Sequence, residues 1–244
     1  MSLALKLVLS PLLIVQAMAT RRGAPVLPEA AGPREGRLGT AHGGTAVRVL
    51  IAGDSSAAGV GVAHQDQGVA GYLSRALHQR SGRSVHWTLR ARSGLTTLQV
   101  HDMLRDQRPP LADVAVLITG VNDVIEQVPS QRAVRHRAAL ADWLLGEGLA
   151  RHVLFAPLPP MHSFPLLPQP LRRVMGDDAR RHDDAMAHWA ATRSDVSHTP
   201  IALDLSPEAM AADGFHPGEP VYRTCGEALA AFIATQLIHT ETST

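Results

Sequence analysis

From residue 47 onward, short runs of Val, Ile, Leu and Ala alternate with longer segments whose apolar residues recur every three or four positions. Strand-length runs occupy residues 47–52, 85–91, 114–119, 153–156 and 201–205. Helical spacing occupies residues 68–80, 97–105, 132–145, 171–193 and 221–237. Strands that alternate with helices form βαβ units with right-handed crossovers, so helices cover both faces of a parallel sheet. The pattern therefore predicts an α/β fold built as a three-layer α/β/α sandwich.

Composition excludes several classes of protein. With 45% apolar residues and a net charge of +1, most of the 244-residue chain is not disordered. The 23 basic and 22 acidic residues nearly balance, and there are only 3 Trp, 2 Tyr and 4 Phe, so we expect no nucleic-acid partner. Cys225 is the one cysteine, which excludes an internal disulfide and a multi-cysteine zinc site. Helical spacing places Cys225 on the buried face of the last helix.

Residues 1–45 lie outside the alternating pattern. We predict an N-terminal apolar segment and a strap rich in Pro, Gly and Arg (residues 22–44), followed by one domain at 46–244. The apolar run 7–19 has 13 residues, fewer than the roughly 20 needed to span a bilayer. It is typical of a secretory signal or of an uncleaved helix on a membrane surface. We favour export, or membrane association through residues 3–22, over a cytoplasmic location.

Glycine and polar residues directly follow three of the predicted strands. Gly53-Asp54-Ser55 places a serine on a strand-to-helix turn, near helix N–H groups that stabilise negative charge. In Ser93-Gly94, the glycine lets a backbone N–H approach a ligand closely. Gly120-Val121-Asn122-Asp123 supplies a side-chain amide donor. Each motif alone is equally typical of a turn or a helix cap, but ligands of parallel sheets bind at these strand ends.

A fourth motif, Asp213-Gly214-Phe215-His216, lies near the C-terminus. A serine nucleophile needs a base, and an imidazole can take and return a proton near neutral pH. A carboxylate three residues earlier can accept a hydrogen bond from that imidazole and set its tautomer. Taken alone, the motif is also typical of a solvated turn. Together with the strand-end motifs, it predicts acyl-transfer chemistry.

These four motifs, in this order, resemble the four blocks of the SGNH (GDSL-type) hydrolase family, from about residue 47 to the C-terminus. The resemblance implies a mostly parallel, flavodoxin-like five-stranded sheet, the SGNH hydrolase fold. It also implies that Ser55 is the nucleophile, His216 the base and Asp213 its orienting carboxylate. The first block departs from the family pattern because Ser56 replaces the usual leucine, a change that removes no catalytic group.

The resemblance further implies an oxyanion hole made of the backbone N–H groups of Ser55 and Gly94 and the side chain of Asn122. The expected reaction is hydrolysis of a small-molecule ester or lipid-like substrate through an acyl-enzyme, with no metal and no organic cofactor. Alternative enzyme activities are those of a thioesterase, a lysophospholipase or a carbohydrate acetylesterase. From different classes, a non-catalytic binding module that retains the fold and a flavin or nucleotide binder also remain.

Two other segments have alternative interpretations. The proline-rich stretch 157–168 is either an acyl-binding wall, with Phe164 and Leu166 as substrate-binding residues, or a loop packed on the domain. His182-Asp183-Asp184 could suggest a metal cluster. Because His182 falls on the apolar stripe of its helix and the aspartates point elsewhere, we expect a core histidine there and no metal site.

Overall fold

The structure, a computed structural model, describes residues 3–39 and 46–238, with side chains from residue 8 onward. Its strands are β1 (Glu35–Leu38), β2 (Val47–Gly53), β3 (Val85–Ala91), β4 (Ala112–Ile118), β5 (Ala150–Phe155) and β6 (Val196–His198). They form one sheet in the order β1-β3-β2-β4-β5-β6. Strands β2 to β6 are parallel and follow the flavodoxin-like order, whereas β1 pairs antiparallel with β3.

Helices cover both faces of this sheet. They are α1 (Leu3–Gly23), α2 (Val69–Ser81), α3 (Thr97–Asp106), α4 (Val121–Ile125), α5 (Ser130–Gly146), α6 (Leu171–Ala190) and α7 (Glu219–Phe232). Val49 and Ile51 of β2 pack towards α2 and α7. Leu50 and Ala52, on the opposite face of the same strand, pack towards α3 and α5. The predicted three-layer α/β/α sandwich is therefore confirmed.

Two details of the predicted sheet are wrong. The sheet has six strands and not five, because the strap contributes β1 to the free edge of β3. Residues 201–205 do not form the last strand, and β6 at Val196–His198 takes that position beside β5. Pro200, which has no N–H to donate, follows two residues after β6 and ends the pairing before residue 201. Leu205 is instead buried in an apolar cluster beneath the strand ends.

The predicted apolar run lies within α1, which includes Pro11. Leu13 packs against the apolar cluster that contains Leu158 and Phe164. The Gln16 side chain donates to Gln169 O at 2.7 Å and accepts from Leu171 N–H at 3.2 Å, at the start of α6. Among the described residues, no helix is both long enough and apolar enough to cross a membrane.

Candidate active site

A tight turn at the end of β2 presents Ser55. Gly53 allows this turn because a Cβ there would lie 1.9 Å from Ile118 O. Asp54 N–H donates to Ile118 O at 3.1 Å, and the Asp54 carboxylate accepts from Ser56 N–H at 3.0 Å. These bonds fix the backbone on both sides of Ser55, whose half-buried side chain lies at the carboxyl edge of the sheet.

His216, from the loop before α7, meets Ser55 across 161 positions of sequence. His216 Nε2 lies 3.1 Å from Ser55 Oγ, and Nδ1 lies 2.5 Å from Asp213 Oδ2. Asp213 Oδ1 also accepts the N–H groups of Phe215 and His216, both at 2.9 Å. Burial alone would raise the pKa of Asp213, but the hydrogen bonds from the His216 side chain and these N–H groups outweigh it and lower the pKa.

The charge of Asp213 decides which imidazole nitrogen of His216 carries hydrogen. An ionised carboxylate can only accept, so Nδ1–H donates to Asp213 and Nε2 keeps its lone pair for the Ser55 hydroxyl. The structure thus brings the predicted Ser55, His216 and Asp213 into one hydrogen-bonded line. Such a line can draw a proton from a serine hydroxyl.

Gly94 and Asn122 lie at the carboxyl ends of β3 and β4, the two neighbours of β2. Gly94 has φ +80°, a left-handed conformation that favours glycine. Asn122 Nδ2 donates to Leu95 O at 3.0 Å and lies 3.5 Å from Asp54 Oδ2. The amide of Asn122 therefore connects the turn that contains Gly94 with the turn that contains Ser55.

A buried ionic network lies behind these turns. Asp123 accepts from Thr97 N–H at 3.0 Å and from Thr97 Oγ1 at 2.5 Å. Arg137 Nη2, 3.9 Å from Asp123, donates to Thr119 O at 3.4 Å. Gly120 has φ +123°, and a Cβ there would lie 1.8 Å from that nitrogen, so this position favours glycine. Asp123 belongs to the predicted motif at residues 120–123, whereas sequence reasoning missed Arg137, whose signal is an arginine on the apolar stripe of α5.

Asp54 is a buried carboxyl group directly before Ser55, with 2% of its surface exposed. Burial raises its pKa to about 7, although the Ser56 N–H and the charges of His216 and Arg137 act in the opposite direction. The charge of Asp54 therefore changes near neutral pH, next to the serine.

An apolar cavity of about 70 Å³ opens beside Ser55 and His216. Its lining includes Val69, Leu158, Phe164, Leu205, Met210 and Val221. Phe164 packs edge-to-face on Phe215 at 5.1 Å, and Phe215 packs on the His216 ring at 5.2 Å. Leu166 is not part of the lining, and its N–H donates to Gly214 O at 3.0 Å. The structure therefore brings Phe164, but not Leu166, to the cavity beside the serine.

Cys225 and His182 are two further residues that the sequence pattern singles out. Cys225 lines the cavity, and burial raises its pKa to about 12, so the thiol stays protonated. His182 is buried with 3% exposure, as predicted. Asp183, its neighbour in sequence, accepts from Leu158 N–H at 2.8 Å and lies 2.9 Å from His198 Nε2. Across the described ranges, no three His, Cys, Asp or Glu side chains are grouped so that they could hold a metal ion.

Known proteins are similar to this chain in sequence and in fold. The chain is 28% identical to the GDSL-like esterase Rv1075c of Mycobacterium tuberculosis over 196 residues, which are 75% of this chain and 60% of that protein. The lipase Lip_vut3 from a goat rumen metagenome has a TM-score of 0.62 at 16% identity, covering 78% of this chain and 97% of that one. The psychrotrophic esterase EstA from Pseudoalteromonas sp., in a structure inhibited by monoethylphosphonate, has a TM-score of 0.54 at 18% identity, covering 76% of this chain and 98% of that one.

The model of the GDSL-like lipase/acylhydrolase family matches residues 51–224. The chain therefore belongs to the GDSL-like lipase/acylhydrolase family.

Proposed function

We propose that the chain is a serine hydrolase that cleaves carboxylic esters through an acyl-enzyme. The observation that carries this proposal is the line of hydrogen bonds from Ser55 through His216 to Asp213, next to an apolar cavity. Membership of a family of lipases and acylhydrolases supports the same reaction. Such a triad uses only side chains and backbone N–H groups, so the proposed reaction needs no metal or organic cofactor.

In the first step, Ser55 Oγ forms a bond to the ester carbonyl carbon while its proton moves to His216 Nε2. The tetrahedral intermediate then loses its alkoxide, which takes this proton and leaves as the alcohol. Water repeats the sequence on the acyl-enzyme: His216 takes a proton from water, the hydroxide adds to the acyl carbon, and Ser55 leaves with the proton. Asp213 stays ionised throughout and stabilises the imidazolium.

The proposed oxyanion hole consists of the N–H groups of Ser55 and Gly94 and the side-chain amide of Asn122. Donors of this kind stabilise the negative charge of the tetrahedral intermediate, and loss of one costs about 2.7–4 kcal/mol. The Asn122 amide has a 3.0 Å bond to Leu95 O and a longer, 3.5 Å contact with Asp54. We expect substrate to replace the longer contact, so that one N–H turns to the oxyanion while the other keeps the turns connected.

The test is intact mass after treatment with a fluorophosphonate, together with ester turnover, for the unmodified chain, Ser55→Ala and His216→Ala. We expect one adduct on the unmodified chain, none on Ser55→Ala, and a fall in turnover of at least about 10³-fold in both variants. Ser56→Ala is the matched control and should keep the adduct. Substantial turnover in Ser55→Ala would contradict the assignment. A folded, unmodified chain that forms no adduct and turns over no ester would favour a binding module.

Substrates with several different leaving groups are compatible with this site. The apolar lining of the cavity suits an acyl chain, which supports esters with an apolar acyl group. Thioesters, lysophospholipids and acetylated carbohydrates present the same carbonyl to Ser55. Turnover of p-nitrophenyl esters, acyl thioesters, lysophospholipids and acetylated sugars, measured side by side, distinguishes these alternatives.

We also propose that residues 3–22 bring the chain to an anionic lipid surface. Val8, Leu12, Ile14, Val15 and Met18 on the outer side of α1 are 46–76% exposed. No acidic residue precedes Glu29 in the chain, whereas Arg21 and Arg22 end the helix. Exposed apolar side chains flanked by cations are typical of helices that bind the headgroup region of anionic membranes.

A further inference from the structure

Part of the strap lies directly against the turn that presents Ser55. Ala30 N–H donates to Ala58 O at 3.2 Å, three residues after the serine. The Gln65 side chain joins the same two segments, donating to Ala30 O at 3.1 Å and to Ala58 O at 3.0 Å. These strap residues precede the stretch 51–224 that matches the family model. The active-site edge of the sheet is thus assembled with a segment beyond the matched region.

Glu29, the residue before Ala30, contacts the turn that follows β3. Its Oε1 accepts from Ser93 N–H at 2.7 Å and from Ser93 Oγ at 2.9 Å. Gly94, whose N–H is a proposed oxyanion donor, is the next residue. One carboxylate oxygen therefore holds both the backbone and the side chain of the residue before that donor.

The other restraints on this turn lie on either side of it: Arg92 N–H donates to Gly53 O at 3.2 Å, and Leu95 O accepts from Asn122 at 3.0 Å. Ser93 and Gly94 themselves are exposed, and apart from its chain neighbours no atom lies within 4 Å of the position that a Cβ on Gly94 would occupy. Glycine is also the residue with the greatest backbone freedom. Without the bonds to Glu29, the orientation of the Gly94 N–H would depend on a solvated dipeptide that is held only at its two ends.

Arg34 holds Glu29 in place from the other side. Its Nη2 donates to Glu29 Oε2, and its Nη1 donates to Ala91 O at 2.6 Å, at the end of β3. Glu29 is 29% exposed. Burial alone would raise its pKa, but the hydrogen bonds from Ser93 and Arg34 outweigh burial and lower it. The carboxylate is therefore ionised at neutral pH, and its bonds to Ser93 are charge-assisted and stronger than neutral ones.

We infer that Glu29 is a positioning residue for acyl transfer, which holds the Ser93-Gly94 turn so that the Gly94 N–H faces the developing oxyanion. The inference rests on the proposed function, because it assigns a role only if Ser55 attacks a carbonyl. Glu29 does not line the cavity beside Ser55, so we assign it no contact with substrate. It acts in the transition state, through the geometry of Gly94.

The experiment compares steady-state ester hydrolysis by the full-length unmodified chain, Glu29→Ala, Glu29→Gln and the control Glu35→Ala, an exposed carboxylate elsewhere on the strap. We expect Glu29→Ala to lower kcat about 10- to 100-fold with KM within about twofold, because a misplaced oxyanion donor weakens only transition-state binding. Glu29→Gln keeps an acceptor for Ser93 N–H and should restore most of kcat. Glu35→Ala should keep the kcat of the unmodified chain.

A kcat for Glu29→Ala within about twofold of the unmodified chain would overturn the inference, as would a Glu29→Gln variant no better than Glu29→Ala. If Glu29→Ala does not fold, Ser93→Ala carries the test, since it removes one of the two donors to Glu29 and leaves the strap unchanged. We then expect a fall in kcat of about 3- to 10-fold at constant KM, and an unchanged kcat overturns the inference. Failure of the proposed function would look different, because the unmodified chain would then lack Ser55-dependent turnover.

Discussion

At the scale of single residues, the chain keeps a full positive charge in its interior. Arg137 is 1% exposed and lies among the acidic residues Asp54, Asp123 and Asp183, whose charges oppose the lowering of its pKa by burial. A buried charge is tolerated only when it is paired and hydrogen-bonded. Because Arg137 lies next to Gly120 and Asp123, its pairing also positions the start of α4, on which Asn122 lies.

His182 is a second buried group whose protonation affects stability. Burial lowers its pKa to about 4, and the neighbouring charge of Arg137 acts in the same direction. The folded state thus favours the neutral ring of His182. The contribution of this ring to the free energy of unfolding is fully present above about pH 6.5. It is lost as the pH falls from 6.5 to about 4, by a total of about 3 kcal/mol.

The measurement is the free energy of unfolding by urea between pH 7 and pH 4 for the unmodified chain, His182→Met and His188→Met. Relative to the unmodified chain, His182→Met should gain about 3 kcal/mol over this range, because methionine cannot take up the proton. His188 is exposed on the same helix, and its variant should follow the unmodified chain. Parallel pH dependence in His182→Met and the unmodified chain would contradict the prediction.

At the scale of elements, the segment between β5 and α6 determines the shape of the cavity. Its Leu158 and Phe164 line the cavity, and Phe164 also contacts Phe215, which packs on His216. Leu166, two residues later, is not part of that lining. Its backbone N–H donates to Gly214 O. The acyl-binding wall, one of the two alternatives for residues 157–168, therefore predicts a role for Phe164 and none for Leu166.

Phe164→Ala should widen the cavity and shift the preferred acyl chain of p-nitrophenyl esters to longer lengths. Leu166→Ala is the matched control, since it removes an apolar side chain of the same segment outside the cavity lining. The measurement is kcat/KM over a series of acyl lengths. The same chain-length profile for Phe164→Ala as for the unmodified chain would contradict the interpretation of residues 157–168 as an acyl-binding wall.

At the scale of the whole molecule, α1 is bound to the domain along one side only. Leu13 and Gln16 contact the domain, while Leu12 and Val15 are 46% and 64% exposed. We predict that the full-length chain floats with vesicles of phosphatidylcholine and phosphatidylglycerol at low salt. Leu12→Asp/Val15→Asp should remain in the aqueous fraction, because charges at these positions oppose insertion into lipid.

The control for this flotation measurement is Leu111→Asp, which changes a leucine that is 55% exposed in the segment before β4. This variant should float like the unmodified chain. If the full-length chain stays in the aqueous fraction, the proposal that residues 3–22 bind a lipid surface is wrong. If the unmodified chain is a dimer and the double variant is a monomer, the outer side of α1 binds a second copy of this chain instead of lipid.

The sequence by itself determined the alternating elements and the motifs at the strand ends, because periodicity and turn chemistry are local properties of the chain. The motif order also led to the family that the comparisons show. The pairing of Ser55 with His216 was expected only through the resemblance to a family, and the tertiary structure gives its distance. Tertiary structure alone decided other contacts between distant segments, such as Glu29 with Ser93. It also decided β1, whose four residues Glu-Gly-Arg-Leu have no strand pattern and become a strand because the edge of β3 offers unpaired backbone groups. Such contacts depend on which edges and surfaces meet after folding, and no local pattern encodes that meeting.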